Sequence, residues 1–256
     1  MKPILIRGKP AAGGKLPLLC APLVAPTREA LLAEAATAAA ARPDIVEWRV
    51  DYFRDIGKPG AVVDAGRALR RRLPGTPILF TRRSAAEGGQ PVPIGEGAVV
   101  ELYREVCGSD VADLVDYEMS NPAESAKVIR EAAHGAGIGV VFSYHNFEAT
   151  PELAALGAEF ARAQELGGDV AKVSVMARQP EDVLTLLRAT LRASRESLIP
   201  LIAVSMGPHG AMSRILGFAF GSALTFGVAA SESAPGQMPI GELRAAIEAA
   251  RKALGG

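Results

Sequence analysis

A lysine interrupts a largely apolar stretch of the chain, Gly-Gly-Asp-Val-Ala-Lys-Val-Ser-Val-Met-Ala at residues 167–177. If this stretch is a β-strand, Lys172 and Ser174 share one face, because side chains alternate between the two faces of a strand. Burial favours the neutral form of an amine, and a neutral lysine can attack a ketone to form an imine, which is an electron sink. The structural alternative is an ion pair between Lys172 and a carboxylate such as Asp116 or Glu118.

A histidine ends a second apolar run, Ile-Gly-Val-Val-Phe-Ser-Tyr-His at residues 138–145. At the end of a strand, His145 is better placed to act as a general acid or base than to pack as an imidazole. The other two histidines carry weaker signals. His134 lies near the end of a predicted helix, a favourable place for a histidine, so we expect a structural role. His209 lies in a Gly-Pro-His-Gly loop and either lines a site or is simply solvated.

Charged residues alternate with apolar ones in Glu-Trp-Arg-Val-Asp at residues 47–51. On a strand, Glu47, Arg49 and Asp51 would fall on one face. Buried charges are costly unless they are paired. The pattern therefore predicts either an internal ion network or contacts to a ligand, and we expect at least one of the three to touch ligand.

These residues belong to a chain in which eight apolar runs alternate with eight stretches of helical periodicity. The strands are predicted at 18–24, 45–51, 77–82, 112–118, 138–144, 170–176, 200–205 and 223–228. The helices are predicted at 27–41, 61–73, 96–108, 122–135, 151–166, 180–196, 211–219 and 240–253.

Eight strand–helix units in 256 residues predict an α/β fold, the (β/α)8 TIM barrel, which typically has about 250 residues and carries its catalytic groups at the carboxyl ends of the strands. The alternative is a doubly wound open sheet, which would be expected to have a glycine-rich turn after an early strand. The turn Ala-Pro-Leu-Val-Ala-Pro-Thr at 21–27 has none. We expect one domain over 1–256, with an N-terminal β-hairpin around Gly13-Gly14 closing the bottom of the barrel.

The composition narrows the class of partner. Lys plus Arg and Asp plus Glu number 28 each, which gives no overall bias toward nucleic acid or an anionic membrane, and we expect neither as a partner. The sequence has no apolar run long enough to cross a bilayer and no signal-peptide pattern. Cys20 and Cys107 lie far apart, as suits a reducing cytoplasm. We therefore expect a cytoplasmic protein. Because the chain also lacks the common metal-binding and nucleotide-binding motifs, we expect it to use neither a metal nor a cofactor.

Six motifs, taken together and in order, resemble type I 3-dehydroquinate dehydratase. They are EWRVD at 47–51, FTRRSAAEGG at 80–89, SYHNF at 143–147, AKV at 171–173, SMG…SR at 205–214, and FG-x5-SAPGQ ending at 237. The resemblance implies a homodimeric barrel enzyme of the shikimate pathway that converts the small molecule 3-dehydroquinate to 3-dehydroshikimate through a lysine Schiff base.

The resemblance also implies roles for eleven residues. Lys172 matches the imine-forming lysine, His145 the general acid and base, and Glu87 the carboxylate that partners the histidine. Substrate-binding positions are matched by Glu47, Arg49, Arg83, Arg214, Ser233 and Gln237, and apolar positions near the substrate ring by Met206 and Phe226.

Two positions depart from the family pattern. Pro22 stands where the family commonly has a strand-1 serine that contacts substrate. In Thr-Arg-Arg-Ser, either Arg82 or Arg83 could be the binding arginine, and Arg83 is preferred because it lies four residues before Glu87. Two other functions use similar residues: a class I aldolase, which would cleave a carbon–carbon bond, and a non-catalytic barrel that binds a polyhydroxy acid.

Overall fold

A computed structural model describes residues 1–11 and 16–255. The N-terminal hairpin is present: β1 (Leu5–Ile6) pairs antiparallel with β2 (Lys9–Pro10). Its turn is Arg7-Gly8, where both residues have positive φ angles of 48° and 76°, a conformation that glycine adopts readily. The expected turn at Gly13-Gly14 lies outside the described residues.

Eight further strands and eight helices alternate along the chain. The strands are β3 (Leu18–Leu23), β4 (Ile45–Arg49), β5 (Ile78–Thr81), β6 (Leu114–Glu118), β7 (Gly139–Asn146), β8 (Val170–Met176), β9 (Leu201–Met206) and β10 (Leu224–Phe226). The helices are α1 (Arg28–Ala41), α2 (Pro59–Arg72), α3 (Glu96–Cys107), α4 (Ala123–Gly135), α5 (Leu153–Glu165), α6 (Pro180–Glu196), α7 (Ala211–Leu216) and α8 (Ile240–Ala253).

The strands form a closed parallel barrel. Each strand from β3 to β9 pairs with the next, and β10 pairs with β3. A parallel bridge between Leu201 and Ser222, together with a hydrogen bond of 2.7 Å from the Ala223 amide to the Leu201 carbonyl, joins β9 to the start of β10. The (β/α)8 prediction is confirmed, and the open sheet is wrong.

Several predicted elements are shorter than expected, and two of them continue as 3-10 turns. The strand predicted at 45–51 ends at Arg49, and a 3-10 turn covers Val50–Tyr52. Asp51 therefore does not extend the strand face. The turn lets both Asp51 carboxylate oxygens accept from Arg49, Oδ1 from Nε and Oδ2 from Nη2, each at 2.8 Å. The helix predicted at 211–219 ends at Leu216 and continues as a 3-10 turn over Gly217–Phe220.

The barrel interior changes character from bottom to top. At the bottom, buried Ile4 packs among Leu18, Leu79 and Val141, so the segment before the hairpin closes this end as predicted. Higher up, the inward side chains are polar and paired across strands. These are Glu47, Thr81, Asp116, Ser143 and Lys172, all buried. The outward side chains of the same strands pack against the helices and form the larger apolar core.

None of the helices in the described ranges has the length and apolar character that a membrane crossing requires.

A buried carboxylate links the hairpin to the barrel. Asp113, immediately before β6, accepts from Arg7 at 2.8 Å and from Arg70 of α2 at 2.5 Å, and also from the Ile78 amide at 2.8 Å. Burial opposes ionisation of Asp113, but the hydrogen bonds from the two arginines outweigh it and leave the pKa below its ordinary value. The carboxylate therefore stabilises the fold at neutral pH.

We predict that Asp113→Ala lowers the free energy of unfolding by about 2 kcal/mol at pH 7, because one substitution removes three hydrogen bonds. Urea unfolding measures this loss. Since the folded pKa is depressed, the difference from the parent protein should shrink as the pH falls below about 4. Asp64→Ala is the matched control, because Asp64 is exposed and lies 3.7 Å from its arginine partner. Equal losses for the two variants would contradict the prediction.

Candidate active site

A cavity that opens toward the carboxyl ends of the strands brings together every site residue predicted from the sequence. Its lining includes Glu47, Arg49, Arg83, Glu87, His145, Lys172, Met206, Arg214, Phe226, Ser233 and Gln237. Five further lining residues were not assigned to the site from the sequence: Gly88, Phe147, Ser174, Val204 and Ala234. The predicted residues thus line one cavity, although they are as far apart in the sequence as Glu47 and Gln237.

Lys172 lies on the inner face of β8 with its side chain 5% exposed. Its Nζ is 2.9 Å from Asp116 Oδ2 and 3.5 Å from Glu47 Oε1, and it lies 4.9 Å from the centre of the Phe226 ring. The structural alternative is therefore correct in part, since Lys172 pairs with Asp116, whereas Glu118 pairs with a different residue. The pairing keeps the nitrogen in place at the wall of the cavity.

Asp116 is fully buried and binds three side chains. Besides Lys172, its Oδ1 accepts from Arg83 Nη2 at 2.6 Å and from the Ser143 hydroxyl at 2.6 Å. Burial alone would raise the pKa of Asp116, but the charges of Arg83 and Lys172 hold it well below the ordinary value. The carboxylate is therefore ionised at neutral pH and fixed in orientation.

Most of the hydrogen-bond donors of the Arg83 guanidinium are already bound to protein groups. In addition to the bond with Asp116, its Nη1 donates to Glu118 Oε1 and to the Ser143 hydroxyl, both at 3.0 Å. The same Nη1 lies 3.7 Å from Glu87 Oε2. Arg83 thus lines the cavity and lies near three carboxylates from two segments, two on β6 and one in the loop after β5. The neighbouring Arg82 has a side chain that does not line the cavity.

His145 and Glu87 form a hydrogen-bonded pair. Glu87 Oε2 lies 2.9 Å from His145 Nδ1 and accepts from the His145 amide at 3.1 Å. The other oxygen, Oε1, accepts from the Ser120 hydroxyl at 2.6 Å. An ionised carboxylate can only accept hydrogen bonds, so Nδ1 of the neutral imidazole must carry the proton that it donates to Glu87. Nε2 is then the basic nitrogen.

The surroundings set the charge states of this pair. Burial, and then the positive charges of Arg83, Lys172 and Arg49, hold the pKa of His145 well below its ordinary value. Burial also raises the pKa of Glu87 to about 7, against the opposing charge of Arg83. His145 is therefore neutral at pH 7 and able to accept a proton, as a general base requires.

Arg214 is a buried cation without a carboxylate partner among residues 1–11 and 16–255. It is 2% exposed, and its hydrogen bonds go to backbone carbonyls, from Nη1 to Phe226 at 3.5 Å and from Nη2 to Pro235 at 3.1 Å. Its Nε has no partner there. Burial lowers the pKa of Arg214 to about 10, so it remains charged at neutral pH. A buried unpaired guanidinium is a binding site for an anionic ligand.

The segment 231–237 covers the cavity and is held by local contacts. Gln237 Oε1 accepts from the Ser233 amide at 2.9 Å, and its Nε2 donates to the Ser233 hydroxyl at 3.2 Å. Gly236 has φ of +78°, and a side chain there would meet the Gly207 carbonyl oxygen at 2.3 Å. Glycine therefore allows this segment to lie against the loop after β9.

Two charged residues from β4 complete the polar wall. Glu47 accepts from the Thr81 hydroxyl at 3.0 Å in addition to its contact with Lys172. Arg49 is bound by Asp51, and its Nη1 points to the Ser233 carbonyl at 3.4 Å. The charges of the Glu-Trp-Arg-Val-Asp motif are therefore paired, as one alternative predicted. Two of the three residues line the cavity, and their contact with a ligand stays a prediction.

The remaining predicted polar positions lie elsewhere. His134 lies in the last turn of α4, and its Nε2 is 2.8 Å from Asp169 Oδ2. This contact agrees with the structural role expected for His134. His209 is exposed and does not line the cavity. Pro22 is buried in β3 beside Glu47 and contributes no hydroxyl. Cys20 and Cys107 are buried free thiols.

The side chains that line the cavity are suited to reactions at the carbonyl group of a ligand. Across the described ranges, no group of three or more His, Cys, Asp or Glu residues could hold a metal ion. The cavity instead joins an amine, a neutral imidazole and a free guanidinium. These groups can bind a carboxylate, form an imine with a ketone and move a proton at the adjacent carbon.

Comparisons with known proteins identify the family. The family model described as type I 3-dehydroquinase matches residues 19–253. The 3-dehydroquinate dehydratase of Albidiferax ferrireducens is 50% identical over 254 residues, which are 99% of this chain and 96% of that protein. The crystal structure of 3-dehydroquinate dehydratase from Geobacillus kaustophilus superposes with a TM-score of 0.95 at 41% identity, covering 98% of this chain and 97% of that one.

A second solved structure agrees. The type I 3-dehydroquinate dehydratase from Clostridium difficile, with covalent modified comenic acid, superposes with a TM-score of 0.93 at 33% identity, covering 98% of this chain and 99% of that one. The chain belongs to the type I 3-dehydroquinase family, whose members dehydrate 3-dehydroquinate in the shikimate pathway.

Proposed function

We propose that Lys172 is the residue that forms the Schiff base with 3-dehydroquinate, and that His145 moves the protons of the dehydration. The observation that carries this proposal is the position of the Lys172 amine and the neutral His145 imidazole in the same cavity. The product is 3-dehydroshikimate and the second product is water, so the reaction is that of a hydro-lyase.

The reaction begins at the ketone of the substrate. His145 accepts a proton from the Lys172 ammonium, and the neutral Nζ then adds to the carbonyl carbon. His145 returns the proton to the carbinolamine oxygen, so that loss of water leaves a protonated imine. Its positive charge takes the place of the ammonium charge beside Asp116, so the carboxylate at 2.9 Å stabilises the imine as it did the resting lysine. The protonated imine makes the adjacent C–H bond acidic.

His145 then acts at the adjacent carbon. Nε2 removes a proton, and the electron pair of the C–H bond moves toward the imine nitrogen to give an enamine. The enamine expels the β-hydroxyl, which leaves as water after accepting the proton from His145. Glu87, bound to Nδ1 at 2.9 Å, stabilises the imidazolium between these steps. Hydrolysis of the conjugated imine releases the product and restores Lys172.

The other lining residues orient the substrate. We assign the substrate carboxylate to Arg214 and Gln237, since Arg214 is charged, buried and without an acidic partner. Glu47, Arg49 and Arg83 form the opposite polar wall and would bind ring hydroxyls, with Ser233 at the covering segment. Met206 and Phe226 supply the apolar contacts to the ring. An aldolase or a purely binding function is set aside because the chain belongs to a dehydratase family.

The family resemblance implies the dimeric assembly, and the two separate cysteines suit a reducing cytoplasm. We propose that residues 1–256 act as one catalytic domain, that two copies associate as a homodimer, and that the enzyme acts in the cytoplasm. Light scattering of the purified protein measures the mass of the assembly, and a monomer mass at micromolar concentration would contradict the dimer.

We predict that borohydride reduction in the presence of 3-dehydroquinate fixes one substrate equivalent on Lys172. Intact-mass and peptide analysis locate the adduct. Lys172→Met should give no adduct and should lose turnover by more than about a thousandfold. His145→Ala should lose turnover but still give the adduct on Lys172.

The matched control is Lys127→Met, because Lys127 is exposed and lies 3.9 Å from Glu124 on α4. This variant should keep both the adduct and the turnover. An adduct that persists in Lys172→Met would overturn the assignment.

We predict that kcat/KM rises with pH through about 7, because the ionised form of Glu87 is needed to orient the imidazole and burial raises its pKa to about 7. Below that value the protonated fraction grows and activity falls, up to about tenfold per pH unit. Glu87→Gln should lower activity and remove this limb of the profile.

Glu159→Gln serves as control, because burial also raises the pKa of Glu159 and this residue lies on α5 outside the cavity. Its profile should match that of the parent protein. If the limb at about pH 7 survives in Glu87→Gln, the assignment to Glu87 is wrong.

We predict that Arg214→Ala raises KM about tenfold to a hundredfold, the effect of losing a charged hydrogen bond to a carboxylate. Steady-state kinetics with 3-dehydroquinate measure it. Arg82→Ala is the control, because this arginine does not line the cavity, and its KM should not change. An unchanged KM in Arg214→Ala would remove Arg214 from carboxylate binding.

A further inference from the structure

Ser174 carries a hydroxyl group at the cavity wall that no other described residue binds. It is 4% exposed and lines the cavity. It lies on the inner face of β8, two residues beyond Lys172, and is paired in register with His145 on β7. The Ser174 side chain is therefore close to both groups that carry the proposed chemistry.

Other hydroxyls of the inner barrel wall are satisfied by the protein. Thr81 donates to Glu47 at 3.0 Å, and Ser143 donates to Asp116 at 2.6 Å. Across residues 1–11 and 16–255, the Ser174 hydroxyl has no such partner. Because Ser174 lies at the cavity wall and no described protein group uses its hydroxyl, the hydrogen-bonding capacity of that hydroxyl is available to whatever occupies the cavity.

The neighbouring wall explains why a single hydroxyl matters there. The register partner of Ser174 on β9 is Val204, followed on the same face by Met206, and both line the cavity. The lining residues of β9 are therefore apolar, and beyond Lys172 on β8 the hydroxyl of Ser174 is the polar group beside them. A polar group beside an apolar wall fixes the place of one ligand oxygen, because the wall offers that oxygen no hydrogen bond.

We propose that Ser174 is a substrate-contacting residue whose hydroxyl forms a hydrogen bond with an oxygen of the bound substrate, beside the bond to Lys172 and on the side of His145. The inference rests on the proposed roles of Lys172 and His145. It adds a polar contact on the wall formed by β8 and β9, opposite the wall that carries Glu47 and Arg49.

The test compares Ser174→Ala with Ser205→Ala. Ser205 is a matched control because it is fully buried, its hydroxyl also lacks a partner in the described ranges, and it does not line the cavity. We expect Ser174→Ala to lower kcat/KM for 3-dehydroquinate about fivefold to tenfold, while Ser205→Ala leaves it unchanged. The two variants should have similar thermal midpoints. Equal kcat/KM values for the two would overturn the inference.

A second pair separates the hydroxyl from the shape of the side chain. Thr and Val have nearly the same shape, and only Thr retains the hydroxyl, so Ser174→Thr should keep a higher kcat/KM than Ser174→Val. Equal values would count against the contact.

Borohydride trapping separates this inference from the mechanism on which it rests. Ser174→Ala should still give the adduct on Lys172. If the parent protein gives no adduct, the proposed mechanism fails. If the adduct forms in the parent protein and Ser174→Ala turns over normally, only the role of Ser174 fails.

Discussion

The carboxylate of Asp116 is the group on which the arrangement of the active site depends. It is buried inside the barrel and holds the Lys172 ammonium at 2.9 Å and the Arg83 guanidinium at 2.6 Å. Arg83 in turn reaches Glu118 on the same strand and lies 3.7 Å from Glu87, the partner of His145. The positions of Lys172 and of the His145–Glu87 pair are thus coupled through one buried carboxylate. Loss of that charge would remove the shortest ion pair of both buried cations and leave Lys172 with Glu47 at 3.5 Å and Arg83 with Glu118 at 3.0 Å, which is destabilising.

The closed barrel is what makes this network possible. Lys172 and Glu47 are 125 residues apart in sequence, yet their strands present them across the same interior. Parallel pairing sets Ser143 beside Lys172 and His145 beside Ser174, so alternate residues of neighbouring strands face the cavity at successive heights. The apolar bottom of the barrel and the helices around it exclude water from the charged layer, which strengthens each ion pair.

Alternation and periodicity were sufficient to predict the strands, the helices and the residues at the strand ends, because the barrel repeats one local pattern eight times. The pairing of charges was not predictable in the same way. The sequence suggested either Asp116 or Glu118 for Lys172. The register places Glu118, through Ser143, in line with Lys172, so only the side-chain contacts assign Asp116 to the lysine and Glu118 to Arg83. Ser120 and Ser174 carried no distinguishing signal beyond position, since serine is common, although Ser174 shares a strand face with Lys172.

The charges left unpaired explain how such a crowded site accepts an acid as substrate. Lys172, Arg49 and Arg83 each have a carboxylate within 2.9 Å, so an anionic ligand competes poorly for them. Arg214 has none among the described residues, which is why we assign the substrate carboxylate to it. In the proposed mechanism a carboxylate bound at Arg214 leaves the ketone to reach Lys172. In the proposed mechanism the nitrogen of Lys172 carries the same positive charge as ammonium and as protonated imine, so the network around Asp116 needs no rearrangement when the covalent bond forms.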